Sequence, residues 1–311
     1  ISQRELFVSP FYAREKELGG HFDNEVGGWE RAFAYESNRQ NLSQYLQTVP
    51  TRDNEWDRRH VPYEIANAEH LAMSESAGMI NLSHFAIMDI KGSDAERMLE
   101  YLSVAKVGAN TPEGRVIYTN FLDEDGGVHA DLTISRMGND YYRVVTGGAD
   151  GNRDWVTLRN YRDDHGLEAD INIRTHDIAT LGLWGPHAER ALGHFIDPGE
   201  INIGNFPFVT AKELTLKLPH KKTIEVWAAR ISYVGESGWE IYLNNDSEEG
   251  LALYDALLEV GVVPVGIETY ANSRRLEKSF RLQGADLETE YNACESAVER
   301  PQVKVADFHG K

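Results

Sequence analysis

The sequence predicts an α+β fold on three observations. Short β-like runs meet through tight turns, helical segments lie between them, and one strand–turn–helix unit occurs twice. "DIKGSDAERMLEYL" (89–102) and "GLWGPHAERALGHF" (182–195) share the frame Gly-x-x-Ala-Glu-Arg-x-Leu, 93 residues apart. Each follows a β-like run, "HFAIMDI" or "DIATLGLW". Each then places apolar residues at helical spacing: Ala95, Met98, Leu99 and Leu102 in one, Ala188, Ala191, Leu192 and Phe195 in the other. Ser93 with Glu96 reads as a capping box, and Pro186 suits a first helical turn. Duplication of one unit predicts two similar antiparallel-sheet-plus-helix subdomains.

The remaining elements follow in chain order. Residues 1–50, with "GGWERAFAYESN", read as an irregular segment that wraps the core. "RVIYTNFL", "GVHADLTISRM" and "DYYRVVTGG" read as strands joined at Asp-Gly-Gly and Gly-Asn-Asp. "DWVTLRNYRDD" follows as a helix. Then come a hairpin from Glu225 to Asn244, an amphipathic helix from Asp246 to Val260, a short strand "VVPVG" and a helix through "SRRLEKSF".

Composition excludes several functions. With 50 acidic against 31 basic residues the net charge is −19, which repels phosphate backbones and anionic lipid. Nucleic acid and membrane surfaces are therefore not expected partners. The surplus itself has two readings, a very soluble protein or adaptation to high salt. No run of about 18 apolar residues exists, and the N-terminus lacks the apolar core of a signal peptide. The chain starts at Ile1, as expected of a processed product or a piece of something longer. A single cysteine, Cys294, excludes an internal disulfide framework and suits a reducing, cytoplasmic setting, where it reads as a small buried apolar group.

Nucleotide motifs are missing too. "GGADGN" lacks the glycine order of a dinucleotide-binding turn, so FAD or NAD is not expected on this chain. The eleven histidines show no ligand spacing, His187 and His194 read as satisfied helix residues, and no metal is expected.

Two segments carry candidate chemistry. In "DEDGGVHADLTISRM", Val128, Ala130, Leu132 and Ile134 alternate with His129, Asp131, Thr133 and Ser135. Asp131 is either a solvated strand residue or a carboxylate lining a cleft, where it could stabilise a cation or handle a proton. In "RISYVGESGWEIY" (230–242), Trp239 and Ile241 share one face, Glu240 and Tyr242 the other. Gly235 and Gly238 bracket Glu236 and Ser237, as in a hairpin turn. A plain exposed hairpin fits this pattern. So does a site for a flat, nitrogen-rich ring, because a carboxylate matches two adjacent N–H donors and aromatic rings supply stacking faces.

Together, "SPFYAREKELGG", "GGWERAFAYESN", "NLSHFAIMDIKG", "VIYTNFLDEDGGVHADLTISRM", "LGLWGPHAERAL", "RISYVGESGWEIY" and "RRLEKSFRLQGADL" resemble the tetrahydrofolate-binding aminomethyltransferase family, which includes the glycine cleavage T-protein. The chain is most similar to the C-terminal folate-binding region of dimethylglycine and sarcosine dehydrogenases. The resemblance implies a cloverleaf of α+β domains around a folate cleft, occupying residues 51–290 as two interleaved subdomains. It implies that residues 291–311 begin a C-terminal domain that is cut short. It also implies an FAD-containing oxidoreductase module or subunit as a possible partner.

The resemblance further implies residue roles. Asp131 assists transfer at the folate nitrogen that takes up the one-carbon unit. Tyr233 and Glu240 hold the pterin, with Glu236, Tyr118 and Arg275 as further folate contacts. Tetrahydrofolate is the implied cofactor, an N-methylated amine such as dimethylglycine or sarcosine the implied donor, and 5,10-methylenetetrahydrofolate the product. Relatives that demethylate sulfonium or aryl methyl ether compounds, or that bind folate without catalysis, imply alternatives. The sequence departs from the family at Ala130, Ala271, Asn81 and Ser74, where the T-protein carries Asp, Arg, Asp and Arg. A basic patch for the folate tail is expected at Lys221 and Lys222 or at Arg274 and Arg275.

Overall fold

The computed structural model describes residues 4–22, 25–48, 62–108, 110–298 and 303–311. The boundary expected between residues 50 and 51 lies outside them. Among the described residues there are eleven strands: β1 (Gly78–Asn81), β2 (Ala86–Lys91), β3 (Val116–Leu122), β4 (Val128–Gly138), β5 (Tyr141–Thr146), β6 (Asp170–Ile173), β7 (Ile178–Trp184), β8 (Ala211–Lys217), β9 (Thr223–Ala229), β10 (Gly238–Asn244) and β11 (Val263–Pro264). The chain divides into two compact units: residues 1–84, 177–208 and 212–280 form the first, and 85–176, 209–211 and 281–311 the second.

In the second unit one antiparallel sheet runs β3-β4-β5-β2-β6. Alternation decides its faces. Ala130, Leu132 and Ile134 of β4 join Met88, Ile90, Tyr142 and Val144 in the core. The helix Ala95–Leu102 adds Met98 and Leu99, and the helix Gly151–Asp164 adds Leu158. In the first unit a six-stranded sheet runs β8-β9-β10-β7-β1-β11. Its core holds Leu181, Leu183, Trp239, Ile241 and Leu243 from the strands, with Leu192, Phe195, Leu253 and Leu257 beside them.

The duplication read from the sequence is present in both sheets. Each unit runs strand, helix, three strands, helix, strand, β2 to β6 in one and β7 to β11 in the other, with an added short helix Pro198–Ile201 and turn Pro219–Lys221 in the first unit. The strand order also matches, except that β1 is inserted between β7 and β11 in the first unit. The repeated turn agrees atom by atom. Gly92 (φ +140°) and Gly185 (φ +137°) each leave a strand in a conformation open to glycine. Their N–H groups bond Asp140 O and Ser237 O, both at 3.0 Å. A Cβ at either would collide with a carbonyl, of Glu168 or of Ser76.

Several local expectations are corrected. Asp94, not Ser93, is the N-cap of the first repeated helix, and no side chain caps it. Ser93 Oγ instead donates to Glu168 at 3.0 Å, so no capping box forms. The second helix spans only Ala188–Leu192, leaving Pro186 before its N-cap, His187, and His194 beyond its end. "VVPVG" yields two strand residues, paired in parallel with β1. β9 and β10 are joined by the eight residues 230–237, not by a tight turn. Cys294 is exposed, not buried.

The N-terminal segment belongs to the core of the first unit. Phe11 and Tyr35 are buried, and the buried Glu15 carboxylate accepts from Tyr35 Oη (2.6 Å) and Asn81 Nδ2 (2.9 Å). Asparagine at 81 is thereby explained, because an aspartate would set a second carboxylate against Glu15. Ala130 is explained similarly, since it is fully buried in the apolar core of its unit. No helix among the described residues is long and apolar enough to cross a membrane.

Candidate functional site

In the first unit the face of the sheet opposite its core carries Thr180, Gly182 and Trp184 of β7 beside Glu240 and Tyr242 of β10. Glu240 lies directly across from Gly182, and Tyr242 from Thr180. This is the face that alternation assigned to Glu240. Its carboxylate is buried and accepts a hydrogen bond from Tyr242 Oη. Loss of water raises its pKa to about 7, against the lowering effect of Tyr242. No cation pairs with it among the described residues.

Gly182 leaves room that Trp184 takes up, since a Cβ there would collide with the Trp184 ring. That ring begins an aromatic chain. Trp184 lies 5.6 Å from Tyr270, Tyr270 lies 5.2 Å from Tyr233, and Tyr233 stacks on Phe280 at 6.0 Å. The 230–237 connection that carries Tyr233 is held at three places. Arg230 bonds Ile201 O, Phe206 O and Ser237 Oγ. Trp184 Nε1 donates to Ile231 O at 2.8 Å. Arg274, 1% exposed, bonds Glu236, Glu277 (2.6 Å) and Val234 O (3.4 Å).

The expected site residues therefore separate. Tyr233 and Glu240 belong to one local arrangement of rings and carboxylate. Glu236 is spent on Arg274. Arg275 is buried, donating to Ala271 O and Phe280 O. Lys222 is bonded to Glu248. Of the groups expected to form a basic patch, Arg274, Arg275 and Lys222 are engaged by the unit's own carbonyls and carboxylates, while Lys221 is exposed. Sequence reading missed Gly182, Trp184 and Tyr270; the signal for the first two was the shared face of β7 and β10, and Tyr270, in the helical turn Thr269–Arg274, gave none.

A reduced pterin can be tested against this face. A carboxylate without a cation suits an edge of two N–H donors. Thr180 Oγ1 on this face and Ser232 Oγ in the 230–237 connection are buried without a hydrogen-bond partner among the described residues. Rings at Tyr233 and Phe280 supply flat apolar surface. The residues fit the group. Two surface depressions, one at Glu189, Arg190, Gly193, His194 and Pro198 and one around Glu17 to Asn41, touch neither Glu240 nor Tyr233.

In the second unit Asp131 lies on the polar face of β4, paired across from Asn120 of β3. Asn120 Nδ2 donates to it at 3.2 Å, and the partly exposed Tyr118 also bonds it. Burial raises its pKa to about 6; those two bonds oppose the rise, and the charges of Asp150 and Asp154 add to it. Asp154 is itself buried against Thr146 Oγ1 at 2.6 Å. The carboxylate of Asp131 can hence hold or release a proton near neutral pH, with Tyr118 fixing its orientation. No group of three or more His, Cys, Asp or Glu that could hold a metal occurs among the described residues.

The chain is 31% identical to an aminomethyltransferase of Herpetosiphon aurantiacus over 246 residues, covering 78% of this chain and 63% of that protein. It is 31% identical to human mitochondrial dimethylglycine dehydrogenase over 263 residues, 82% of this chain and 29% of that one. It thus spans under two thirds of the length of these relatives. The crystal structure of the glycine cleavage system aminomethyltransferase T from Bartonella henselae superposes with a TM-score of 0.74 at 22% identity, over 98% of this chain and 73% of that one, which shows the shared fold. A family model described as the GCVT N-terminal domain matches residues 11–303, and the chain belongs to that family.

Proposed function

We propose that the chain is a tetrahydrofolate-dependent one-carbon transferase that serves an N-methylated amine such as dimethylglycine or sarcosine. The observation that supports this reading most is Glu240: a carboxylate buried on a polar sheet face, bonded by Tyr242, across from a glycine on β7 and without a cation among the described residues. Such a group is costly unless a ligand completes it. Reduced folate would supply the nucleophilic nitrogen that takes up the one-carbon unit.

The chain's own residues would do the rest. Glu240 accepts from the N–H edge of the pterin, and Tyr233 with Phe280 offers ring surface. Asp131, oriented by Tyr118 and Asn120, stabilises positive charge at the transferring carbon or accepts the proton released from the nitrogen. The amine donor is supported by similarity to a dimethylglycine dehydrogenase and would be delivered by an oxidising flavoprotein partner.

Asp131→Ala provides the test. Methylene-folate formation from the amine should fall by about 100-fold or more, while the Kd for tetrahydrofolate changes less than about twofold. Full activity in this variant would remove Asp131 from the mechanism. Failure of the unaltered chain to bind tetrahydrofolate would remove the reading itself.

A further inference from the structure

The reading above leaves the anionic tail of a folate without a cation, in a chain of net charge −19. We propose that Lys278 takes a carboxylate of the ligand's tail; this rests on the folate reading and names the group that meets the ligand's charge. Lys278 follows the short helix Arg275–Glu277 and is exposed. Its N–H bonds Arg275 O at 3.1 Å, and the next residue, Ser279, takes a positive φ of 59°, which fixes the turn.

The side chain is directed by a glycine. Gly235 has φ +73°, and a Cβ there would collide with Cγ, Cδ and Cε of Lys278. The lysine stem therefore lies in the notch left by Gly235, two residues from Tyr233. Phe280, two residues beyond Lys278, stacks on Tyr233. Stem and ring together border the 233–235 segment.

Charge around it is already settled. Glu236 and Glu277, the carboxylates of these same two segments, are both bonded by the buried Arg274. No carboxylate pairs with Lys278 among the described residues. Its ammonium ends a stem lodged against Gly235, two residues from Tyr233, whose ring stacks on the exposed Phe280. A flat apolar linker ending in carboxylates fits that pairing of ring and ammonium.

The test compares Lys278→Ala, Lys278→Glu and Lys278→Arg in the purified chain with three ligands: tetrahydrofolate, its triglutamate form and tail-less 6-methyltetrahydropterin. Lys278→Ala should raise the Kd for tetrahydrofolate about threefold, and Lys278→Glu about tenfold, as expected for a solvent-exposed ion pair and its reversal. The triglutamate should be affected at least as much, the tail-less pterin should be unmoved, and Lys278→Arg should restore binding. Equal losses for all three ligands would show a structural role and overturn the proposal. So would unchanged binding throughout, or an effect confined to the KM of a carboxylate-bearing amine donor. If the unaltered chain binds the pterin but ignores the tail, only this inference falls; if it binds none of the three, the folate reading falls with it.

Discussion

Asp89 in the second unit and Glu240 in the first stand on matched rungs of two duplicated sheets. Asp89 of β2 faces Arg143 of β5, and Gly182 of β7 faces Glu240 of β10, with Gly182 93 residues after Asp89. The second unit closes its rung with its own ions. Arg143 grips Asp89 at 2.8 and 3.0 Å, and Arg174 and Tyr141 bond the same carboxylate. On the matched rung of the first unit, the Glu240 carboxylate has only Gly182 across from it on β7. One rung is a finished ion pair, while the other offers an acceptor that a guanidine-like N–H edge would complete. The two rungs differ by an acid against a glycine and an arginine against a glutamate, which leaves one carboxylate paired and the other without a cation among the described residues.

The two carboxylates should accordingly fail in different ways. Asp89→Ala leaves Arg143 buried without its partner and should cost about 3–5 kcal/mol, read as a lowered urea midpoint. An unaltered midpoint would mean that the rung is not closed by ions.

Their pH dependences should have opposite sign. Burial alone would raise the Asp89 pKa, but Arg143, Tyr141 and Arg174 outweigh it and hold it below the usual value. Its stabilising effect is present above the unfolded pKa and is lost as pH falls through the folded one. Burial raises Glu240 to about 7, so the folded chain keeps a proton that the unfolded chain has released above about pH 4.5. Stability from this group therefore declines as pH rises from about 4.5 to 7, by about 3 kcal/mol in total. Glu240→Gln should flatten that part of the curve. Glu15, raised to about 7, and Glu69, raised to about 8, slope the same way and remain in the variant. A curve of unchanged slope in Glu240→Gln would place the carboxylate in water.

A side chain at position 182 should disturb the open rung. Gly182→Ala pushes the Trp184 ring and should cost about 1–3 kcal/mol, with weakened pterin binding because Trp184 holds Ile231 and neighbours Tyr270. The smallest effect concerns the repeated helices. Ser93→Ala should change stability by less than about 0.5 kcal/mol, since Ser93 caps nothing; a loss near 1 kcal/mol would restore the capping box.

The repeat and the faces were legible because they are local. Gly92 and Gly185 with their following Ala-Glu-Arg frames needed only chain order, and Glu240 fell on the correct face from period-two alternation. The candidate site was legible only in part. Nothing near Glu236 announces Arg274, 38 residues away, as its partner. The eight-residue connection looked like a tight turn because two glycines suggested one, while Trp184, Arg230 and Arg274 supply the anchors that let it run longer.

By itself, the sequence determined the α+β class, the duplication and the alternation that keeps Asp131 and Glu240 off the apolar cores. These follow from backbone periodicity and glycine stereochemistry, which act over a few residues. Tertiary structure alone decided that β1 enters between β7 and β11, that Arg143 closes one rung, and that Glu240 is buried beside Gly182 and Tyr242 with no cation among the described residues. Those outcomes depend on which distant groups share a buried, weakly screened space, where a carboxylate with a cation and one without differ by several kcal/mol.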